Sequence, residues 1–334
     1  MPKVLMLSLV FDPDTVSTAT IMTSVAHGLQ EHGHEVTVLT SIPHYNPAAD
    51  VRNCPTYRAR LPQLSTEAYE DGIRVLRVYM PLKRQRVWLR ALDYLWFHVM
   101  TTLVALCKIG PQDIIFVTSP PITLGVSGYL LARLLRGQLL YDVRELWPDV
   151  PVRLGLIRNP LLLRAVYAMA AFVYCRATVI TCIAHSFMES LQQRRVRAEK
   201  LRFAPNFVDI ALLIPGPKAN VFACEHGLEH KFVAFYAGNI GLTQGLEIPV
   251  AVGEVLQQNS GIVLVVVGDG ARRLKFEQAV QRSGLHNILC LPFQPYARIP
   301  QTYATADVCL SPMRSGFSYD TVPSKIYTAM AAGR

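Results

Sequence analysis

No CxxC pair occurs anywhere in the 334 residues. The seven cysteines (54, 107, 175, 182, 224, 290 and 309) are scattered and odd in number. That argues against a disulfide framework or a zinc site, and for reduced thiols in a cytosolic compartment. No repeat with a period of roughly 20–50 residues is present, which excludes a solenoid. Low-complexity segments are missing, so a disordered chain is excluded as well. The apolar start KVLMLSLVF lacks a long signal-peptide core and runs into Asp12 and Asp14. Two phosphate-loop signatures are absent: there is no GxxxxGK[ST], and GDGARR at 268–273 has two glycines of a GxGxxG but no third.

What is there is a large apolar content, 51% hydrophobic against 17% charged, enough for two domains of ordinary size. The net charge of +9 is unevenly placed. Residues 1–205 carry 23 Lys and Arg against 15 Asp and Glu, whereas 206–334 carry 10 against 9. A basic half suits nucleic acid, anionic lipid or phosphorylated substrates, or is simply a solvated face. No zinc-finger or RRM signature accompanies it, so nucleic acid is not an expected partner.

Strand and helix patterns alternate through both halves. KVLMLSLV (3–10) and HEVTVLT (34–40) flank a helix over 17–32 ended by Gly33. Strands are then expected at 113–119, 138–143, 177–183 and 200–206, with helices near 121–136, 160–175 and 186–194. The second half places strands at 232–238, 262–268, 287–293 and 307–312, each followed by a helix, the last at the chain's end. Both halves therefore read as α/β with parallel sheets. Domain boundaries are expected at 1–206 and 231–334, with 207–230 as linker.

One stretch breaks the alternation. Residues 83–109 form a long apolar helix that includes Asp93 and His98, so it is not a spanning segment. It reads either as a core helix or as a helix in the membrane interface. In the second case Lys83, Arg84, Arg86 and Arg90 face anionic headgroups, with Trp88 and Trp96 at the boundary.

Candidate chemistry lies at strand ends. YAGNIGLTQG (236–245) places Gly238, Gly241 and Gly245 between strand and helix, where backbone N–H groups approach an anion closely. VVVGDG (265–270) is a second such end. In the third, Ser324 and Lys325 open a helix behind Pro323, and a lysine in a first turn is unfavourable unless an anion meets it. Together the three suggest a nucleotide diphosphate. In the first half, YDVRELWPD (141–149) puts Asp142, Arg144, Glu145 and Trp147 at a strand end, as a structural ion pair or as groups facing a ligand. DPD (12–14) reads as a loop turn before a metal site, and His32 and His34 as a helix cap around Gly33.

Nine stretches in order, among them HGHEVTVLTSIPHYNP, TSPPITLG, DVRELWPD, RFAPNFVD, YAGNIGLTQGLE, VVGDG, LPFQP, ADVCLSP and VPSKIYTAMAAGR, resemble glycosyltransferases of the GT-B fold, family 4. The likeness extends to bacterial colanic acid and surface-polysaccharide enzymes. It implies two Rossmann-like domains facing a cleft, the second incomplete, and retaining transfer of a sugar from a UDP- or GDP-linked donor. The implied acceptor is an undecaprenyl-diphosphate-linked sugar at the inner face of the membrane, with no metal needed. Carried over, the donor contacts are Gly238, Asn239, Gly241, Gly268, Asp269, Gly270, Pro292, Phe293, Asp320, Val322, Pro323, Ser324, Lys325 and Thr328. Asp14, Thr15, Asp142 and Trp147 fall on the acceptor side, and Arg144, Glu145 and Lys325 are the catalytic candidates.

This chain departs from that pattern in three places. Asn239 and Gln244 stand where many members carry Arg and Lys. Asp320 and Thr328 stand at the family's pair of glutamates, of which the second holds ribose hydroxyls. DTVSTAT (14–20) lacks paired glycines. Losing the second glutamate implies about 10–100-fold weaker donor binding. The resemblance further implies that the chain stops inside its second domain, leaving an unpaired sheet edge. Two other readings stay open: a catalytically impaired remnant, and a GT-B nucleotide-sugar epimerase that needs no lipid acceptor.

Overall fold

The computed structural model describes residues 1–14, 16–44, 54, 65–81, 87–155, 157–241, 243–316 and 321–334. Thr15, Asp320, Lys83, Arg84, Arg86 and the side chain of Trp88 lie outside the described residues. The chain divides into two compact units, Met1–Pro205 and Asn206–Arg334.

The first unit is built on one sheet of eight strands. These are β1 (Lys3–Leu7), β2 (Glu35–Ser41), β3 (Ser65–Glu70), β4 (Ile73–Val78), β5 (Ile114–Thr118), β6 (Gln138–Val143), β7 (Val179–Cys182) and β8 (Leu201–Phe203). Their spatial order is β3-β4-β2-β1-β5-β6-β7-β8. Every pair is parallel except β3 with β4. The central strands are apolar along their length because helices cover a parallel sheet on both faces. Its helices are α1 (Ser17–Glu31), α2 (Val87–Lys108), α3 (Thr123–Leu134), α4 (Asp149–Arg153), α5 (Pro160–Arg176) and α6 (His185–Gln193). Asn159 caps α5, its side chain accepting from the amides of Leu161 and Leu162.

The second unit carries a four-stranded parallel sheet of β9 (Phe232–Ala237), β10 (Ile262–Val267), β11 (Ile288–Leu291) and β12 (Val308–Cys309), in the order β11-β10-β9-β12. The helices are α7 (Val221–Glu225), α8 (Glu247–Leu256), α9 (Arg273–Arg282), α10 (Ile299–Ala304) and α11 (Lys325–Ala331). One core packs Phe222, Val233, Phe235, Val265 and Tyr303 with Ala329 and Ala332 from the last helix. The other sheet face packs Tyr236, Leu264 and Val266 against Phe276 and Val280.

The alternating α/β pattern is therefore as the sequence reads, with three differences. Strand 307–312 shortens to two residues. Residues 207–230 belong to the second unit rather than to a free linker, since Phe222, Ala223 and Leu228 sit in its core. The β3–β4 hairpin was not anticipated. Its turn is Asp71-Gly72, with φ of 48° and 84°, a two-residue turn that needs positive φ at both places.

That hairpin is held by a buried cation. Arg77 is 2% exposed; its Nη2 lies 2.8 Å from both Glu70 carboxylate oxygens and donates to the Asp12 carbonyl at 2.6 Å. DPD at 12–14 is a turn, closed by the Asp14 amide on the Phe11 carbonyl at 3.0 Å. Gly33 likewise ends α1, and His32 Nδ1 lies 2.7 Å from the Gly28 carbonyl as a cap. Glu70→Leu should cost about 2 kcal/mol in urea unfolding, less than the ~3–5 kcal/mol of breaking a fully buried pair, because Glu70 is partly exposed. Adding Arg77→Met should return most of that loss. Equal losses in single and double variants would show that the pair is not what holds the hairpin.

Candidate diphosphate site at the second unit's strand ends

The carboxyl ends of β9 and β10 turn on glycines, and that of β11 on a proline. Gly238 follows β9, Gly268 and Gly270 follow β10, and Pro292 and Phe293 follow β11. The approach of the first two is closer than any side chain allows. A β-carbon at Gly268 would stand 1.9 Å from the Gly238 carbonyl oxygen, on a backbone with φ of 152°. The loops are then tied together: the Ile240 amide donates to the Asp269 carbonyl at 2.8 Å, and the Gly270 amide to the Asp269 carboxylate at 2.7 Å. Arg273, which sequence reasoning missed, braces them from α9. Its Nη1 donates to the Gly268 carbonyl at 2.5 Å, while Nε pairs with Glu277 at 2.7 Å. Four donor candidates stay at the surface: Asn239, Asp269, Pro292 and Phe293 are exposed.

Lys325 crosses this edge. A β-carbon on Gly238 would lie 3.4 Å from its Cε and 3.7 Å from its Nζ. The ammonium sits 4.0 Å from the centroid of the Tyr236 ring, a cation–π contact. Tyr236 is fully buried, and its hydroxyl donates to the Asn239 carbonyl at 2.7 Å, so one residue supports both the lysine and the loop. Among the described residues no carboxylate pairs with Lys325, and burial pushes its pKa down to about 8. Two more polar atoms nearby have no partner among the described residues: Ser311 Oγ and Gln244 Oε1. Ser311 and Lys325 share a cavity of about 150 Å³ with Ala237, Tyr303 and Leu310. Ser311 Oγ, beside an ammonium that no described carboxylate meets, can donate to an anion; Arg334 lines the same cavity, and Gln244 Oε1 can only accept.

The other predicted residues fall as follows. Val322, Pro323 and Ser324 are half-buried ahead of α11. Ser324 makes no capping hydrogen bond and α11 has only seven residues, so the positive charge at this place comes from the lysine. Gly241 lies against the side chains of Asn239 and Gln244. Thr328 is half-buried on α11. Tyr236, Ser311 and Tyr303 were missed because an aromatic or a serine in an apolar strand looks like any core residue.

In the first unit, Asp142 is a tie between strands. It is 3% exposed, and its carboxylate accepts from Thr181 Oγ1 at 2.7 Å, Arg144 Nη1 at 3.0 Å and Thr118 Oγ1 at 3.3 Å. The Arg144 amide donates to Ser119 Oγ at 3.1 Å. Arg144 and Asp142 thus form the internal ion pair, and Arg144 does not pair with Glu145 as its neighbour in sequence. Asp14 is buried. Trp147 is half-buried and its carbonyl accepts from the Tyr174 hydroxyl at 3.3 Å.

Glu145 is partly buried at the same strand end, and burial raises its pKa to about 7. The sign of its effect follows. The folded state holds the Glu145 proton to higher pH than the unfolded chain does. Stability is therefore lost as pH rises from the ordinary carboxylate range through about 7. Glu145→Gln should flatten the urea stability profile over that window and raise stability at pH 8 by about 1–2 kcal/mol. An unchanged profile would place the ionised carboxylate in water.

The comparisons agree with this architecture. The Glycosyl transferase 4-like domain matches residues 18–206, and Glycosyl transferases group 1 matches 231–334. Escherichia coli K12 has a relative, WcaI, named as a colanic acid biosynthesis glycosyl transferase. It is 24% identical over 354 aligned positions, covering 99% of this chain and 81% of WcaI. Anabaena HepE, solved with UDP and glucose, superposes with a TM-score of 0.69 at 16% identity, covering 100% of this chain and 79% of that one. WaaG, a glycosyltransferase involved in lipopolysaccharide biosynthesis, gives 0.66 at 16% identity over 99% and 79%. The family descriptions together take in most of the sequence, and the chain belongs to the family 4 glycosyltransferases of GT-B fold.

Proposed function

We propose that the chain transfers a sugar, with retention of configuration, from a UDP- or GDP-linked donor to a lipid-diphosphate-linked acceptor such as an undecaprenyl-diphosphate sugar. The setting is bacterial surface-polysaccharide assembly at the cytoplasmic face of a membrane. One observation carries the donor half of this reading: a lysine ammonium that no carboxylate among the described residues meets, laid across glycine-rich strand ends. WcaI, HepE and WaaG support it by their names and, for HepE, by its UDP complex.

As the bond between the sugar and the diphosphate breaks, its electron pair leaves with the phosphate oxygen. Lys325, with the Asn239 and Gly241 amides, is suited to hold the charge that develops; the Gly238 and Ile240 amides are already bonded to the Val267 and Asp269 carbonyls. The proposal assigns that charge to these groups and calls for no metal. The Ser311 hydroxyl offers a neutral hydrogen bond at the same site. In the first unit Glu145, titrating near 7, is suited to exchange a proton with an acceptor hydroxyl, while Asp142 fixes Arg144 next to it in sequence. Thr328, at the family's ribose-binding position, brings no carboxylate to the ribose hydroxyls, which favours a weakly held donor.

The test is turnover of a panel of nucleotide sugars with lipid-diphosphate acceptors, alongside calorimetry with UDP and GDP. Absence of binding and turnover with every donor would overturn the proposal. Conversion of donor without acceptor would instead favour an epimerase. Lys325→Met should weaken nucleoside-diphosphate binding about 10–100-fold, the value of a charge-assisted hydrogen bond. Wild-type affinity should stay level at neutral pH and fall as pH rises above about 8, where free Lys325 loses its proton. Thr328→Glu should tighten UDP or GDP about tenfold; unchanged affinity would mean the ribose is held elsewhere.

A further inference from the structure

The outer helices of the first unit present oil where a water-facing surface presents charge. On α2, Leu92, Leu95, Val99, Leu103 and Leu106 are each about half exposed. Their spacing of three and four residues puts them on one face. The opposite face is the core side, where Phe97, Thr101 and Ala105 are fully buried. α3 lies beside both α2 and α5. It adds exposed Leu130 and Leu134, and α5 adds Leu161, Leu162, Tyr167 and Phe172. Single exposed apolar residues need no explanation, but a contiguous set over three adjacent helices does.

The charges among them have one sign. Arg133, Arg136, Arg164 and Arg176 are exposed on or at the ends of α3 and α5, and neither helix contains an acid. The acid of α2, Asp93, is buried. Asp149, which meets Tyr167 at 2.9 Å, is also paired with Arg194. Glu67, beside the end of α2, is shared by Arg74 and Lys108. Arg176 stands 5.6 Å from the ring centroids of both Tyr129 and Phe172, which themselves meet edge-on at 5.1 Å. That cluster joins α3 to α5 and sets a guanidinium at the rim of an aromatic pair. Amphipathic aromatics and arginines of this kind favour a boundary between hydrocarbon and water.

We infer that α2, α3 and α5 together form a docking face for an anionic lipid surface, with the leucines entering the headgroup boundary and the arginines meeting lipid phosphates. No helix among the described residues is long and apolar enough to cross a membrane, which fits helices that lie on a bilayer. Charge selects this occupant over a second copy of the chain. A two-fold contact through the face would set arginine against arginine with no exposed acid on these helices to answer it. The inference takes its setting from the acceptor proposed above, and its test needs neither donor nor turnover.

The test is co-sedimentation of the full chain with vesicles of phosphatidylcholine alone or mixed with about one third phosphatidylglycerol. Binding to the mixed vesicles should exceed binding to phosphatidylcholine at least about tenfold and weaken with salt. Leu95→Gln with Leu103→Gln should reduce it about tenfold or more, and so should Leu162→Gln with Phe172→Gln. Arg133→Gln with Arg164→Gln should reduce binding to mixed vesicles several-fold and leave phosphatidylcholine unchanged. Trp96, on the same side of α2, gives a readout on unmodified protein: its emission should shift to the blue on mixed vesicles, and Trp96→Phe should remove that shift. A wild-type chain that stays in the supernatant, or leucine variants that bind like wild type, would overturn the inference. So would a dimer in solution that the leucine variants dissolve, since the face would then belong to a second copy. Loss of donor binding with vesicle binding intact would count against the transferase proposal alone.

Discussion

An ammonium taken partly out of water, with no carboxylate opposite it among the described residues, is the constraint on which the second unit's strand edge depends. Desolvation disfavours the charged form of Lys325, and the face of Tyr236 offsets only part of that cost. The backbone makes room for this arrangement. Gly238 and Gly268 approach until no β-carbon fits between them, and Arg273 holds the Gly268 carbonyl from behind. The first unit solves the same problem in the opposite way. Arg144 is met by Asp142 at 3.0 Å, and Asp142 is filled by two threonine hydroxyls besides. One cation is already matched inside the fold and the other is not. That difference, more than position at a strand end, decides which of them is open to an anion.

How much of this the sequence carries depends on whether a residue's role is local. IVLVVV at 262–267 is a buried parallel strand by composition alone, and Lys325 stands out because lysine in a first helical turn opposes the dipole. The β3–β4 hairpin carried a usable signal, Asp71-Gly72, but STEAYE and IRVLRV hide the alternation because Arg77 is buried and the β3 strand lies at the edge. Tyr236, Ser311 and Arg273 could not be picked out. Each is ordinary in its own element, and its part in the site comes from a neighbour far along the chain. The pairing of Arg144 with Asp142 rather than Glu145 is of the same kind, since it is set by how the chain bends after β6.

The long helix shows a different limit. Read alone, α2 is apolar enough to be a core helix or an interfacial one, and the two readings look like rivals. The structure makes them two sides of one element. Phe97, Met100, Val104 and Ala105 close the sheet, while Leu92, Leu95, Val99 and Leu103 stay outside. Periodicity alone does not reveal this, because a helix apolar on both sides has a weak pattern. What distinguishes the outer side is the company it keeps on α3 and α5, where apolar surface continues and every exposed charge is an arginine.

On the two proposals above, the units would meet negative charge by unlike physics. The first unit's arginines are spread over an exposed surface, each worth little by itself and all screened by salt beyond about 8 Å. Their effect is additive and tolerant of position, which suits a fluid array of headgroups. Lys325 is single, partly desolvated and fixed by Tyr236, so its interaction is stronger, less screened and bound to one geometry. A near-neutral second half is consistent with that: discriminating one diphosphate among many anions calls for a placed charge, and a broadly positive surface there would hold other phosphates as well. On those proposals the charge asymmetry of the chain divides a surface that would gather anions from a site that would select one.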